Sequence, residues 1–291
     1  MRNYLEAGIE GKRSGMGGVS APRTTQSPRK ILKWAGSKSN VSSQLKEFLK
    51  FDRPYIEPFC GSAAFYFENL PSKAVLNDLN SHLVDCYRSV RDAPHHVWEH
   101  YDALEVSEQN YYVVRTRFNQ MAKSYLKSAL FLYLNHYCFN GIYRTNKAGL
   151  FNTPYGAKQK IKKKFSIEDF MHFSSSLKNT ELHSSDFETF LDAVAPSDSC
   201  IYMDPPYFTV EGRVFNEYGA KAFLADDLAR LHKVATRLAD KNIVVISYKD
   251  CSEFRDLFEA HLAAPITVTR NVGGFAGRRK SETELIAVLG A

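Results

Sequence analysis

Asp204-Pro205-Pro206-Tyr207 sets a carboxylate, two prolines and an aromatic ring in four consecutive positions, directly after the apolar run Cys200–Met203. Proline has no N–H to donate and holds φ at roughly −65°, so the Pro205 carbonyl is a fixed second acceptor beside Asp204. Two acceptors and a stacking ring suit a planar heterocycle that bears an exocyclic amino group. The lone pair of such an amine is delocalised into the ring and is a poor nucleophile. Accepting both its protons favours a tetrahedral nitrogen whose lone pair is free for in-line attack, while Tyr207 grips the ring face. For that grip the ring is needed rather than the hydroxyl. Taken alone, the tetrapeptide also reads as a proline-rich turn with an exposed tyrosine.

Other chemistry-bearing residues fall at the ends of predicted strands. Residues 55–59 read as a short strand, followed by Cys60-Gly61-Ser62 and a helical run over 63–70; residues 74–76 form a second strand that ends in Asn77-Asp78, and a helix runs over 81–91. This order of strand, glycine turn, helix and strand begins a parallel, doubly wound α/β sheet, in which ligands bind beyond the carboxyl ends of the strands. Gly61 permits close backbone approach to a ligand, although the full GxGxxG pattern of a phosphate cradle is missing. Asp78 stands about 20 residues beyond the turn, where an acid can receive ribose hydroxyls. An N-cap on the following helix is the other reading of Asp78.

The middle of the chain, 82–165, is helical and tyrosine-rich, with an amphipathic run at 125–138 and a glycine-punctuated segment from Asn140 to Phe151. Alternation then resumes, with a strand at 200–203, a helix over 226–240, a strand at 243–246 and closing strands at 266–270 and 284–289. The expected organisation is a flexible tail over 1–29, one α/β domain from 30–81 and 166–291, and a helical insertion over 82–165. No internal repeat is visible.

The formal charge of +6 does not by itself select a partner. Six bases (Arg2, Lys12, Arg13, Arg23, Arg29, Lys30) against Glu6 and Glu10 put most of the excess into the first 30 residues. Two local clusters stand out, the five lysines of Lys158–Lys164 and Arg278-Arg279-Lys280, each also readable as a solvated loop. The second follows Gly273-Gly-Phe-Ala-Gly277 and reads as a mobile basic lid. Five cysteines without a CxxC pair are expected to be reduced thiols, and no zinc or other metal spacing is present, so no metal is expected. Without an apolar run long enough to span a bilayer or a signal-peptide core, a cytoplasmic protein with no membrane association is expected.

Taken in order, the motifs bring a resemblance. Leu32-Lys-Trp-Ala-Gly-Ser-Lys38, Ile56-Glu-Pro-Phe-Cys-Gly61, Asn77-Asp-Leu-Asn80, Leu134–Asn146, Phe151–Gly156, Ser185-Asp-Phe187 and Asp204–Tyr207 resemble the ordered motifs of the Dam-type (D12 class) DNA adenine-N6 methyltransferases. The resemblance runs from about Leu32 to Leu289. It implies a Rossmann-like S-adenosylmethionine-dependent methyltransferase sheet, interrupted by a DNA-recognition insertion with a hairpin, acting on double-stranded DNA. S-adenosyl-L-methionine would be held by Trp34 and Lys38 at its methionine part, Phe59 and Gly61 at the turn, Asp78 at the ribose, and Asp186 and Phe187 at the adenine, with Asp204 beside them. Asp204, Pro205, Pro206 and Tyr207 would carry catalysis on a base flipped out of the duplex. Lys33, Phe139, Asn140, Ile142, Arg144 and Pro154 fall where the family touches or enters DNA, and the lysine run would add phosphate contacts.

Three departures are visible. Ser37 stands where glycine is usual and Ala63 replaces a second small glycine, both expected to narrow the cofactor pocket, and His136 occupies a hairpin position often held by arginine. The target is therefore expected to be a GATC-like palindrome in outline only. Methylation of N4 of cytosine, RNA as substrate, and a DNA-binding module without catalysis are the competing readings. Aspartate at position 204 and the hairpin favour adenine in duplex DNA. Whether a cognate restriction endonuclease accompanies the chain, and its oligomeric state, are not encoded in these motifs.

Overall fold

The computed structural model describes residues 30–34, 36, 42–156, 163–207, 223–271 and 279–290. The expectations for the tail over 1–29, for Ser37 and Lys38, for Lys158, Lys160 and Lys162, and for 273–278 lie outside the described residues. In chain order the elements begin with α1 (Ser42–Lys46), β1 (Tyr55–Glu57), α2 (Ala64–Asn69), β2 (Ala74–Asn77) and α3 (Ser81–Asp92). Then come α4 (Pro94–Asp102), α5 (Glu108–Gln120), α6 (Tyr125–Tyr137), a 3-10 turn (Phe139–Gly141) and α7 (Ile167–Leu177). The remainder is β3 (Thr180–His183), α8 (Phe187–Val194), β4 (Cys200–Met203), α9 (Ala225–Ala239), β5 (Ile243–Lys249), α10 (Ser252–Phe258), β6 (Leu262–Asn271) and β7 (Arg279–Leu289).

The strands form one sheet in the order β3-β2-β1-β4-β5-β7-β6. β1 to β5 run parallel, and β7 pairs antiparallel with both β5 and β6. The chain builds outward from β1 through β2 to β3, then returns to lay β4 on the other side of β1. That reversal is the switch point at which a doubly wound sheet opens a crevice. Side chains alternate across the sheet with period two. Tyr55, Cys200, Tyr202, Val245 and Ile286 enter one core with α2, α3, α6 and α7, whereas Ile56, Ile201, Met203, Val244, Ile246 and Ala287 enter the other with α8, α9 and α10. Near-continuous apolar strands follow, since both faces are covered.

Helix starts are written in the sequence. The Asn80 carboxamide accepts the N–H groups of His82 and Leu83 at 3.1 and 3.3 Å, so Asn80, not Asp78, is the N-cap of α3. Ser107 and Ser124 cap α5 and α6 in the same way, and Ser166 with Asp169 forms a reciprocal capping box on α7. The run at 125–138 is not amphipathic in its setting: Ser128 to Tyr137 are all buried. α6 is enclosed by α3, α4 and α5, and a helix surrounded by others is apolar on every side.

The predicted hairpin begins one turn later than its motif, because Leu134–Tyr137 is still α6. Beyond it the chain folds back through single bridges, Cys138 to Tyr155 and Thr145 to Phe151, rather than through paired strands. At the far edge of the sheet, Arg279 and Lys280 open β7 in register with Asn271 and Arg270. Part of the expected basic loop is therefore strand.

Asn77 holds the strand ends together. Fully buried, it donates to the carbonyls of Pro58 and Ser185 at 2.9 and 3.0 Å and accepts the Ser185 N–H at 3.0 Å, joining the ends of β1, β2 and β3. Asn77→Ala strands these buried groups and is expected to cost roughly 2–4 kcal/mol in urea unfolding. A loss below about 1 kcal/mol would show that the ends are held by other contacts.

Candidate active site

The turn after β1 is fixed on three sides. Gly61 has φ +46, and its N–H donates to Asp78 Oδ2 at 2.9 Å while its carbonyl accepts the buried Tyr87 hydroxyl at 2.8 Å. A Cβ at this position would stand 2.6 Å from Trp34 Cδ1. Gly61 is thus required for the approach of Trp34, where the sequence suggested the approach of a ligand. Ala63 has φ 47, a left-handed conformation that glycine adopts without strain. Its methyl is fully buried in the core and does not line the cleft, so this departure does not narrow the pocket.

Around the turn lies a cleft of about 1150 Å³ that opens to solvent, lined by Trp34, Glu57, Phe59, Gly61, Asp78, Asp186, Phe187 and all four residues of Asp204–Tyr207. It sits at the switch between β1 and β4, the position expected for a ligand site in this architecture. Three carboxyls face it from three adjacent strand ends. Asp78, half-buried, accepts from Gly61 and, through Oδ1, from the Asn80 N–H at 2.8 Å; burial nevertheless raises its carboxyl to about 6. Glu57, which the sequence reading passed over, is only 3% exposed and its Oε2 has no hydrogen-bond partner. Burial, then the neighbouring Asp204 and Asp78, push the Glu57 carboxyl well above the ordinary range. A charged residue inside a three-residue buried strand was the available signal.

One end of the cleft is aromatic. Phe59 lies 5.3 Å from Phe187 and 6.3 Å from Phe223, three rings in mutual contact that give the cleft a flat apolar wall. Arg230 stands behind them, its guanidinium 4.8 Å from the Phe187 ring centre. It pairs with Asp186 at 2.7 Å, Glu188 at 2.8 Å and Asp227 at 2.7 Å. Asp186 also caps α8 by accepting the Glu188 N–H at 3.1 Å. Nothing in the local sequence connects Arg230 to Asp186, because only the packing of α9 on α8 brings them together.

At the other end, the Asp204–Tyr207 segment is held by the antiparallel side of the sheet. The Ser247 hydroxyl donates to Asp204 Oδ1 at 3.1 Å and also meets the Tyr202 hydroxyl at 2.9 Å. The Tyr207 ring lies edge-to-face on Tyr248 at 5.0 Å. Its hydroxyl donates to Glu284 Oε1 at 2.7 Å, so the group to which the sequence assigned no part is engaged.

The residues expected at DNA divide into two sets. Phe139, Asn140 and Pro154 are exposed together, with the Phe139 N–H bonded to the Pro154 carbonyl at 2.9 Å and Asn140 at φ +53. Ile142 and Arg144 are half-buried, and Arg144 Nε donates to Asn152 Oδ1 at 2.9 Å, giving the guanidinium a partner. Lys33 turns its ammonium onto the His136 carbonyl and exchanges backbone hydrogen bonds with the Asn135 carboxamide at 2.8 and 2.7 Å. Within the lysine run, Lys164 bonds the Asp102 carbonyl instead of standing free for a phosphate. His136 is buried, 2.8 Å from the Tyr101 hydroxyl, and is a core residue rather than a reading one.

Trp34 joins the two halves of the site, since its ring packs on Gly61 and stacks on Tyr143 of the hairpin at 5.7 Å. Lys33 does the same beside it: a Cβ on Gly141, at φ +69, would stand 2.5 Å from the Lys33 Cβ.

Residues 34–272 match the family model of the D12 class N6 adenine-specific DNA methyltransferases. The chain is 31% identical to the DNA adenine methylase of Escherichia coli strain K12 over 268 residues, covering 89% of this chain and 95% of that relative. It is likewise 31% identical to the Retron Ec67 DNA adenine methylase of Escherichia coli, covering 90% and 91%. With the type II methyltransferase M.MjaIII of Methanocaldococcus jannaschii it shares 30% identity, covering 86% and 94%.

Glu57 carries a pH prediction. Its raised folded-state value means that it contributes stability below the ordinary carboxylate value of 4.5, and that this contribution is lost as pH rises. Glu57→Gln is isosteric with the protonated acid and escapes that loss. Between about pH 5 and pH 8 the Tm of the variant should therefore gain steadily on that of the wild type. Parallel Tm curves would show that Glu57 is ionised at no cost in the folded protein.

Proposed function

Because the chain belongs to the D12 class N6 adenine-specific DNA methyltransferases, we propose that it transfers a methyl group from S-adenosyl-L-methionine to N6 of an adenine flipped out of duplex DNA. The observation that carries this reading is the convergence of Asp204–Tyr207 and Asp78 on one cleft at the sheet's switch point.

The cleft's donor set fits that cofactor. The aromatic wall of Phe59, Phe187 and Phe223 suits the face of a purine, and Asp78, which lines the same cleft, would accept ribose hydroxyls. Asp78 and Asp204 line the same cleft beside the buried Glu57, and a cationic centre there would favour their ionised forms. Bound there, the cofactor supplies an electrophilic methyl group on a sulfonium. Asp204, held in aim by Ser247, accepts a hydrogen bond from one N–H of the adenine amino group and takes the single proton that the nitrogen releases on methylation. The Pro205 carbonyl accepts a hydrogen bond from the other amino N–H, and Tyr207 stacks on the base. Trp34 and Lys38 attend the methionine part.

A base inside a duplex is out of reach of such a cleft, so flipping is part of the reading, at a cost of a few kcal/mol. Phe139, exposed beside Asn140 and Pro154, is the wedge that fills the vacated stack. Arg144 and Ile142 lie behind it on the hairpin, and Lys33 underpins the hairpin from the α6 end. The segment 82–165 serves as the recognition unit, and 30–81 with 166–291 as the catalytic one. A GATC-like palindrome is the proposed target, and a cognate endonuclease is a separate matter of genomic context.

Cofactor binding should depend on pH through Asp78. Ribose hydroxyls are received by the ionised carboxylate, and that carboxyl titrates at about 6 in the free protein. Affinity is thus expected to be level above this value and to fall by up to about tenfold per pH unit below it. Calorimetric titration from about pH 5 to pH 8 checks this, with Asp78→Asn expected to bind weakly and without that slope.

The function itself is tested with labelled S-adenosylmethionine and duplexes that contain or lack GATC, followed by nucleoside digestion. N6-methyladenine is the expected product, and Asp204→Ala should lower transfer by on the order of a thousandfold. DNA affinity should survive in that variant, because phosphate contacts dominate it. Methylcytosine as the product, or equal transfer by Asp204→Ala, would overturn the reading.

A further inference from the structure

Glu284 is a carboxylate that the fold goes to some trouble to keep. It begins the otherwise apolar stretch Glu284-Leu-Ile-Ala-Val-Leu289 of β7 and is fully buried. A buried carboxyl is costly unless polar partners compensate it. One such partner is the Tyr207 hydroxyl, at 2.7 Å. Across the strand pair, Glu284 is in register with Lys249, and its neighbour Leu285 with Tyr248.

The two restraints on the Tyr207 ring are complementary. A phenol hydroxyl lies on the axis about which its ring rotates, so the bond to Glu284 fixes where that axis points but not the rotation about it. The edge-to-face contact with Tyr248, at 5.0 Å and 90°, fixes the rotation. Together they define one plane for a half-buried ring at the cleft wall.

We infer that Glu284 is a positioning residue for methyl transfer: by holding the Tyr207 hydroxyl it sets the plane on which the target adenine stacks. This rests on the stacking role proposed for Tyr207. A tilted platform would still admit the base but would present its amino nitrogen off the line of attack, and a small misplacement of reacting atoms costs rate rather than binding.

A double-mutant cycle on the full chain reads this directly, with S-adenosylmethionine and an adenine-containing duplex as substrates. Tyr207→Phe and Glu284→Leu should each lower kcat by about tenfold, with KM for the cofactor unchanged. The double variant should fall no further than either single one, because both remove the same hydrogen bond. Glu284→Gln keeps an acceptor oxygen and should return kcat to within about threefold of wild type. Independent losses, which multiply to about a hundredfold in the double variant, would overturn the inference. So would wild-type kcat in Tyr207→Phe, a variant that stays informative if Glu284→Leu fails to fold. Wild-type turnover in Tyr207→Ala would instead overturn the stacking role itself, which keeps the two failures apart.

Discussion

The turn at Gly61 has no room for a side chain, and much of the molecule is arranged around that lack. Its amide is held by Asp78, its carbonyl by Tyr87, and the face where a Cβ would stand is filled by Trp34. β1, β2, α3 and the segment before α1 are thereby tied to a single residue. Trp34 then carries the tie outward, because its ring stacks on Tyr143 in the hairpin. One residue earlier, Lys33 packs on Gly141 and bonds to the C-terminal turn of α6. The Gly61 turn and the hairpin are therefore spaced by two adjacent side chains, each seated on a glycine with positive φ. Such close packing transmits displacement, since a well-packed interior has few voids to absorb it.

Electrostatics divides the cleft in a way the packing alone would not. Near the switch point, the buried Glu57 and the half-buried Asp78 are acids whose carboxyls ionise less readily than free ones. At the aromatic end, by contrast, Arg230 matches Asp186, Glu188 and Asp227 with one guanidinium and leaves the wall of phenylalanines largely apolar. A ligand with a flat neutral end and a cationic middle is complementary to that division. The antiparallel strands have a different task. β5 and β7 supply Ser247, Tyr248 and Glu284, which fix Asp204 and Tyr207 from behind. Asp204 and Tyr207 are thus braced at the carboxyl end of a central strand, although the tetrapeptide itself is irregular backbone.

Much of this was legible in the chain. The motif order located β1, β2 and β4 and the helices between them, because buried parallel strands are short apolar runs closed by polar residues at their carboxyl ends. Asp204–Tyr207 and Asp78 were found by their place at those ends, and Phe59, Asp186 and Phe187 through the family resemblance; the structure brings them to one cleft. Where reading failed, it failed over environment. His136 looked like a departure at a DNA-facing position and is a core residue bonded to Tyr101. The helix over Tyr125–Tyr137 looked amphipathic and is covered on all sides from Ser128 onward.

What the sequence by itself determined is local and directional: strand ends, helix caps, the glycine turn, and the residue types presented at each end. These depend on backbone sterics and on near neighbours, which the order of residues specifies directly. The tertiary structure alone decided which groups meet across distance. Arg230 reaches Asp186 from 44 positions away, and Glu284 reaches Tyr207 from 77, because strand order and helix packing set those approaches. It also decided what each acid's burial would be. The ionisation of Glu57 is governed by the dielectric around it and by Asp204 and Asp78, not by the residues on either side of it in the chain.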